Sequence, residues 1–147
     1  MTITASQFLI EVRELGFECW GPRDKNIYCP SRDWLEDFAE YLLENRISGA
    51  AESWDCDDYA LEAVAQASIA CFNASIQAGH SFVYCTVRLW SALNGIEPEV
   101  DQITGHALNL VRLDSGDYFL FEPQNGSMTN AKQAIAECVV APGCALL

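Results

Sequence analysis

Three short segments carry residue types able to do covalent chemistry: Trp54-Asp55-Cys56-Asp57-Asp58-Tyr59-Ala60, Gly105-His106-Ala107-Leu108-Asn109 and Phe121-Glu122-Pro123-Gln124-Asn125-Gly126. A thiol in the first turn of a helix is eased toward thiolate by the unpaired N–H groups and the helix dipole. A histidine on a neighbouring strand can take the thiol proton, and a carboxylate beyond it can hold the imidazole in one tautomer. Cys56 is therefore the expected nucleophile, His106 the expected base and Glu122 the expected orienting acid. The Cys56 backbone N–H would meet the oxyanion, with Trp54 Nε1–H as candidate second donor. The reaction such a set performs is attack on an amide carbonyl to give a thioester acyl-enzyme, with His106 protonating the leaving amine.

The elements that must position these residues are legible in outline. Ser6 is placed to cap a first helix carrying Phe8, Leu9, Val12 and Leu15 at helical spacing, which Gly16 stops. A second helix is expected over about 31–46, with Trp34, Leu35, Phe38, Tyr41 and Leu42 inward. A third runs from near Asp55 to about Asn73, and its alanines and apolar residues cover most of its circumference, as in a buried central helix. From Ser81 the period changes. Residues 82–87 are β-branched and aromatic, 103–113 and 118–123 flank the turn Asp114-Ser115-Gly116, and 138–141 make a last strand after a short helix over 129–137. A three-residue loop there makes Leu113 face Asp117, and it brings His106 and Glu122 onto one face of the hairpin. Helices followed by antiparallel strands predict an α+β fold, a buried helix packed on an antiparallel sheet.

Taken together, the three segments resemble the papain-like and transglutaminase-like cysteine peptidase superfamily. Cys56-Asp57-Asp58-Tyr59-Ala60 is similar to its Cys-x-Asp-aromatic-Ala start, and Gly105-His106-Ala107 and Phe121-Glu122-Pro123 are similar to its later blocks. The resemblance covers about residues 53–127. A Cys-His-Glu order is similar to the calcium-dependent papain-like domain attached to some fungal agglutinins. Two departures stand out: Leu108 occupies the place of a frequent tryptophan, and Gln7 is the only glutamine upstream of Cys56. The resemblance implies one papain-like domain over 1–147, with N-terminal helices over 1–50, a catalytic core over about 53–127 and a C-terminal helix and strand over 128–147. It implies a hydrolase of the thiol protease kind cleaving a peptide or isopeptide amide, with transglutaminase or amidase acyl transfer from the same thioester as variants.

Charge supplies the competing reading. Lys and Arg number 8 against 21 Asp and Glu, a net charge of −13 over 147 residues. Such a surface repels nucleic-acid phosphates and anionic membranes and favours cationic partners. An acidic binding, inhibitor or decoy module on the same fold is the non-enzymatic alternative to a peptide or protein substrate. Asp57, Asp58, Glu122, Gln124 and Asn125 offer oxygen ligands in the number Ca²⁺ takes, so calcium is the one cofactor the sequence brings into view. The seven cysteines lack CxxC spacing, and no signal peptide or membrane-spanning run is visible, so a cytoplasmic protein with free thiols is expected. Cys71 and Cys85 read as small buried hydrophobes, His80 as structural, and the acidic face Asp33, Glu36, Asp37, Glu40, Glu44 as solvated helix surface.

Overall fold

The computed structural model describes residues 1–19, 24–45, 55–98 and 105–146. The chain starts with a strand, β1 (Thr2–Thr4), running directly into helix α1 (Ala5–Glu14). Thr4, rather than Ser6, caps this helix: its backbone is extended and its hydroxyl accepts the Gln7 N–H at 3.2 Å. The short strands β2 (Glu18–Cys19) and β3 (Asn26–Tyr28) follow, then α2 (Arg32–Glu44). Ser31 caps α2 by accepting the Trp34 N–H at 3.2 Å. Helix α3 (Cys56–Asn73) leads to β4 (Gly79–His80), β5 (Phe82–Leu89), β6 (Gly105–Arg112), β7 (Tyr118–Glu122), β8 (Ser127–Asn130), α4 (Ala131–Ala136) and β9 (Val140–Leu146).

The strands form two sheets. One has the order β1-β3-β4, the other β2-β9-β5-β6-β7-β8. Both contain a parallel pair, β3 with β4 and β2 with β9, while the remaining neighbours are antiparallel. The expectation of helices followed by a single antiparallel sheet is therefore corrected: the sheets are mixed, and three strands precede α2. These strands are two or three residues long, too short for an alternating pattern to announce them.

Within the larger sheet the hairpin register is the one its loop chemistry predicts. Leu110 faces Leu120, Leu113 N–H donates to Asp117 O at 2.8 Å, and Gly116 takes φ +93°, where a side chain would be strained. Strand alternation then sorts the core into two layers. Leu108 and Leu110 of β6, Val83, Cys85 and Val87 of β5 and Leu120 of β7 pack with Phe8 and Val12 of α1. Val111, Phe82 and Phe121 point the other way, onto Leu35 and Phe38 of α2 and Ala63 and Ala67 of α3. A partly buried ion pair joins α1 to the sheet: Arg112 Nε donates to Glu11 Oε2 at 2.6 Å, and Tyr118 OH donates to the same oxygen at 2.9 Å.

Candidate functional site

The start of α3 is fixed by a reciprocal cap. Asp55 Oδ1 accepts the N–H groups of Asp57 and Asp58 at 3.1 and 3.4 Å, and Asp58 Oδ2 accepts the Asp55 N–H at 3.3 Å. This puts Cys56 in the first turn, with its thiol half-exposed. Ala60, Ala63 and Ala67 have no exposed surface, and small residues there let α3 lie close against β5 and β6. Close approach brings Cys56 Sγ to 3.5 Å from the Ala107 N–H, which donates to it. On the same face Asn109 Nδ2 donates to Ala60 O at 2.9 Å, and Tyr84 OH donates to Asp57 Oδ1 at 2.8 Å.

His106 and Glu122 meet in the interior. His106 Nε2 and Glu122 Oε2 are hydrogen-bonded at 2.6 Å, with His106 7% exposed and Glu122 fully buried. The other carboxylate oxygen accepts the Gln124 N–H at 3.1 Å. Alternation along β6 decides what this pair can reach. Asn109 and Val111 face α3, so His106 belongs with Leu108 and Leu110 to the opposite face, opposite Val87 in the register. Among the described residues no hydrogen bond joins Cys56 to His106; the thiol reaches the backbone beside the histidine.

Electrostatics at Cys56 run against the expected thiolate. Burial pushes the thiol above its ordinary range, and the Asp57 and Asp55 carboxylates push it further, with the Ala107 N–H pulling only partly back. The helix start favours an anion, but two neighbouring carboxylates and partial desolvation outweigh it here. What the arrangement presents is a neutral thiol above a separate, buried His–Glu pair.

The remaining expected site residues are dispersed. Trp54 lies outside the described residues. Asp57 is engaged by Tyr84, and Asp58 closes the helix cap. Asn125 Nδ2 donates to Asn94 O at 2.6 Å, and its Oδ1 accepts the Ser127 N–H at 2.9 Å. Asp57, Asp58 and Glu122 form no common group able to hold a metal among the described residues, and Glu122 spends both oxygens on His106 and Gln124. The donor set read from the sequence does not fit one calcium ion. Sequence reasoning missed Tyr84 and Asn94. The Asn94-Gly95 pair is a turn signal, whereas nothing local marks Tyr84 as the partner of Asp57.

A groove of about 390 Å³ opens between α2 and α3, lined by Trp34, Phe38, Tyr41 and Ile69, with Asp37, Gln66 and Asn73 supplying polar groups. Trp34 and Phe38 stack at 4.8 Å between ring centroids, and Tyr41 is 46% exposed. The acidic face of α2, expected to be plain solvated surface, borders this groove through Asp37.

No family model matches the chain, and no curated protein matches it. Solved structures do match, among them two that each cover 99% of this chain. One is a PSL1a–E64 complex, TM-score 0.63 at 18% identity, of which the match covers 51%. The other is Polyporus squamosus lectin bound to the epitope Neu5Aca2-6Galb1-4GlcNAc, TM-score 0.61 at 20% identity, of which it covers 49%. The chain thus spans about half the length of these structures, and what it shares with them is the fold. The likeness is to a lectin, which corrects the identification with papain-like and transglutaminase-like peptidases, the α+β papain-like core, and the reading as a hydrolase or thiol protease enzyme. Within the structure His106 is held by Glu122 and, among the described residues, shares no hydrogen bond with Cys56. Among the described residues no helix is long and apolar enough to cross a membrane.

Proposed function

We propose that this protein is a carbohydrate-binding module and that the groove between α2 and α3 receives the sugar. The lining of that groove carries the reading. An exposed Tyr41 beside the Trp34–Phe38 stack offers aromatic faces to the C–H side of a pyranose ring, and Asp37, Gln66 and Asn73 offer acceptors and donors to its hydroxyls. The glycan held by the Polyporus squamosus lectin supports the ligand class. Its sialic acid carries a carboxylate, and Asp33, Asp37, Glu40 and Glu44 on α2 repel a further negative charge. Galb1-4GlcNAc without sialic acid is therefore the preferred form. Calorimetric titration of the protein with both sugars tests this. Saturable heat with the neutral disaccharide, lost in Tyr41→Ala, is expected; no saturable heat with either sugar at millimolar concentration overturns the reading.

A second ligand position is proposed at Cys56, with the His106–Glu122 pair as the rigid support of the strand beside it. The half-exposed thiol and the Ala107 N–H directed at it favour this, as does the E64 held by PSL1a. Prolonged incubation with E64 above pH 8, where part of this slow thiol ionises, followed by peptide mass mapping, is expected to find addition at Cys56 ahead of the other thiols, absent in Cys56→Ser. Addition spread evenly over the seven thiols would exclude a site there. All seven cysteines are free, which supports a reducing compartment such as the cytoplasm.

A further inference from the structure

A cavity of about 760 Å³ lies on the other side of α3 from the groove, between that helix, α1 and β4. Its walls are apolar and aromatic: Phe8, Ile27, Phe72 and Val83 contribute, and Phe72 stands 82% exposed at the rim. Two polar features face it, and they differ in kind. His80 Nδ1 accepts the Phe82 N–H at 3.2 Å, so Nε2 carries the proton and donates to Ser68 Oγ at 2.7 Å. The Ser68 hydroxyl donates in turn to Val64 O at 3.0 Å. That chain satisfies itself, and burial holds His80 below its ordinary range, in the neutral form.

Asp24 is different. Its carboxylate rests against Gly79, where a Cβ would come within 2.5 Å of Oδ2. Among the described residues no hydrogen bond or ion pair engages it. The cavity therefore offers, at its exposed edge, a carboxylate with no hydrogen-bond partner among the described residues, near enough to His80 to act on it electrostatically, together with a neutral imidazole and aromatic walls. We propose that it binds a small amphipathic ammonium, with the cationic head on Asp24 and the apolar body against Phe8, Phe72 and Val83. An exposed aromatic ring at the rim adds a second attraction for a cation, and a protein of net charge −13 draws cations toward itself.

The probe is phenethylamine, with phenethyl alcohol as its uncharged counterpart, titrated into the whole protein by calorimetry or by NMR shift mapping. Saturable binding of the amine is expected, with shifts at Ser68, Phe72 and His80. Binding weakens roughly tenfold or more in Asp24→Asn, as loss of a charge-assisted contact requires. Gly79→Ala, whose methyl displaces the carboxylate without removing it, weakens binding in the same direction. Equal affinity for amine and alcohol, unchanged affinity in Asp24→Asn, or no saturable binding at all overturns the proposal.

Discussion

His106 and Glu122, sixteen residues apart on adjacent strands, share a 2.6 Å hydrogen bond on the face of the sheet turned away from α3. A pair so buried depends on both partners, because removal of one strands the other in a medium that cannot solvate it. Glu122→Ala is expected to cost about 3 kcal/mol, read from equilibrium urea unfolding. Glu122→Gln keeps an acceptor for the Gln124 N–H and costs less, about 1 kcal/mol. Equal, small losses in both variants would mean that the pair contributes nothing to holding β6 and β7 together.

Cys56 is expected to behave as a sluggish thiol. Burial first, then Asp57 and Asp55, keep it protonated above the ordinary thiol range. Alkylation by iodoacetamide should therefore reach its half-maximal rate above the usual pH of ~8.5. Asp57→Asn removes one of the opposing charges and should speed the reaction at pH 8 by roughly threefold. Rapid labelling of Cys56 near pH 6 would contradict the assignment of a neutral thiol.

The link between α1 and the sheet has an acid-side signature. Although burial raises it, the Glu11 carboxyl is held below its ordinary range by hydrogen bonds from Arg112, Gln7 and Tyr118. A depressed folded-state value means that the contribution is complete above the unfolded value of ~4.3 and disappears as pH falls through the lower one. Wild-type stability should drop over that interval. In Glu11→Gln that part of the slope is absent, and stability at pH 7 is lower by about 3 kcal/mol because Arg112 is left buried without its partner. Chemical unfolding at stepped pH reads both effects.

Gly143 sits where β9 crosses β5 at a register shift between Cys85 and Val87. A Cβ there would lie 2.5 Å from Thr86 Oγ1 and 2.7 Å from the Thr86 carbonyl oxygen, and the carbonyl cannot swing aside as a side chain can. Gly143→Ala is expected to lower stability by about 2 kcal/mol and to weaken amide-exchange protection along β9. Unchanged protection would show that the strand accommodates the methyl by a shift elsewhere.

What the sequence discloses here follows the range of each signal. Helices α2 and α3 and the β6–β7 hairpin are visible because caps, helical spacing and a Gly-closed loop act over a few residues. The same local reasoning brings His106 and Glu122 to one face, where they are found bonded. It cannot tell which face α3 covers, since that depends on how Ala60, Ala63 and Ala67 meet Asn109 and Val111 from far along the chain. What the structure pairs with His106 is Glu122, while Cys56 Sγ takes the Ala107 N–H. The groove escaped notice for a related reason: Trp34, Phe38 and Tyr41 have the spacing of an ordinary buried stripe, and only the position of α3 leaves Tyr41 at an open edge.

The order of strands in the larger sheet has a consequence for how the protein is made. β9 lies between β2 and β5, so Glu18 finds Cys144 and Tyr84 finds Leu146 only after nearly everything between them exists. A ribosome delivers the chain from the other end. Until residues 140–146 emerge, β5 carries an unpaired edge over Tyr84–Leu89, the kind of edge to which a second nascent chain can add a strand. Loop closure over such a distance also slows the search for the native pairing. Yield from expression should therefore depend on translation speed and temperature more steeply than on folded-state stability.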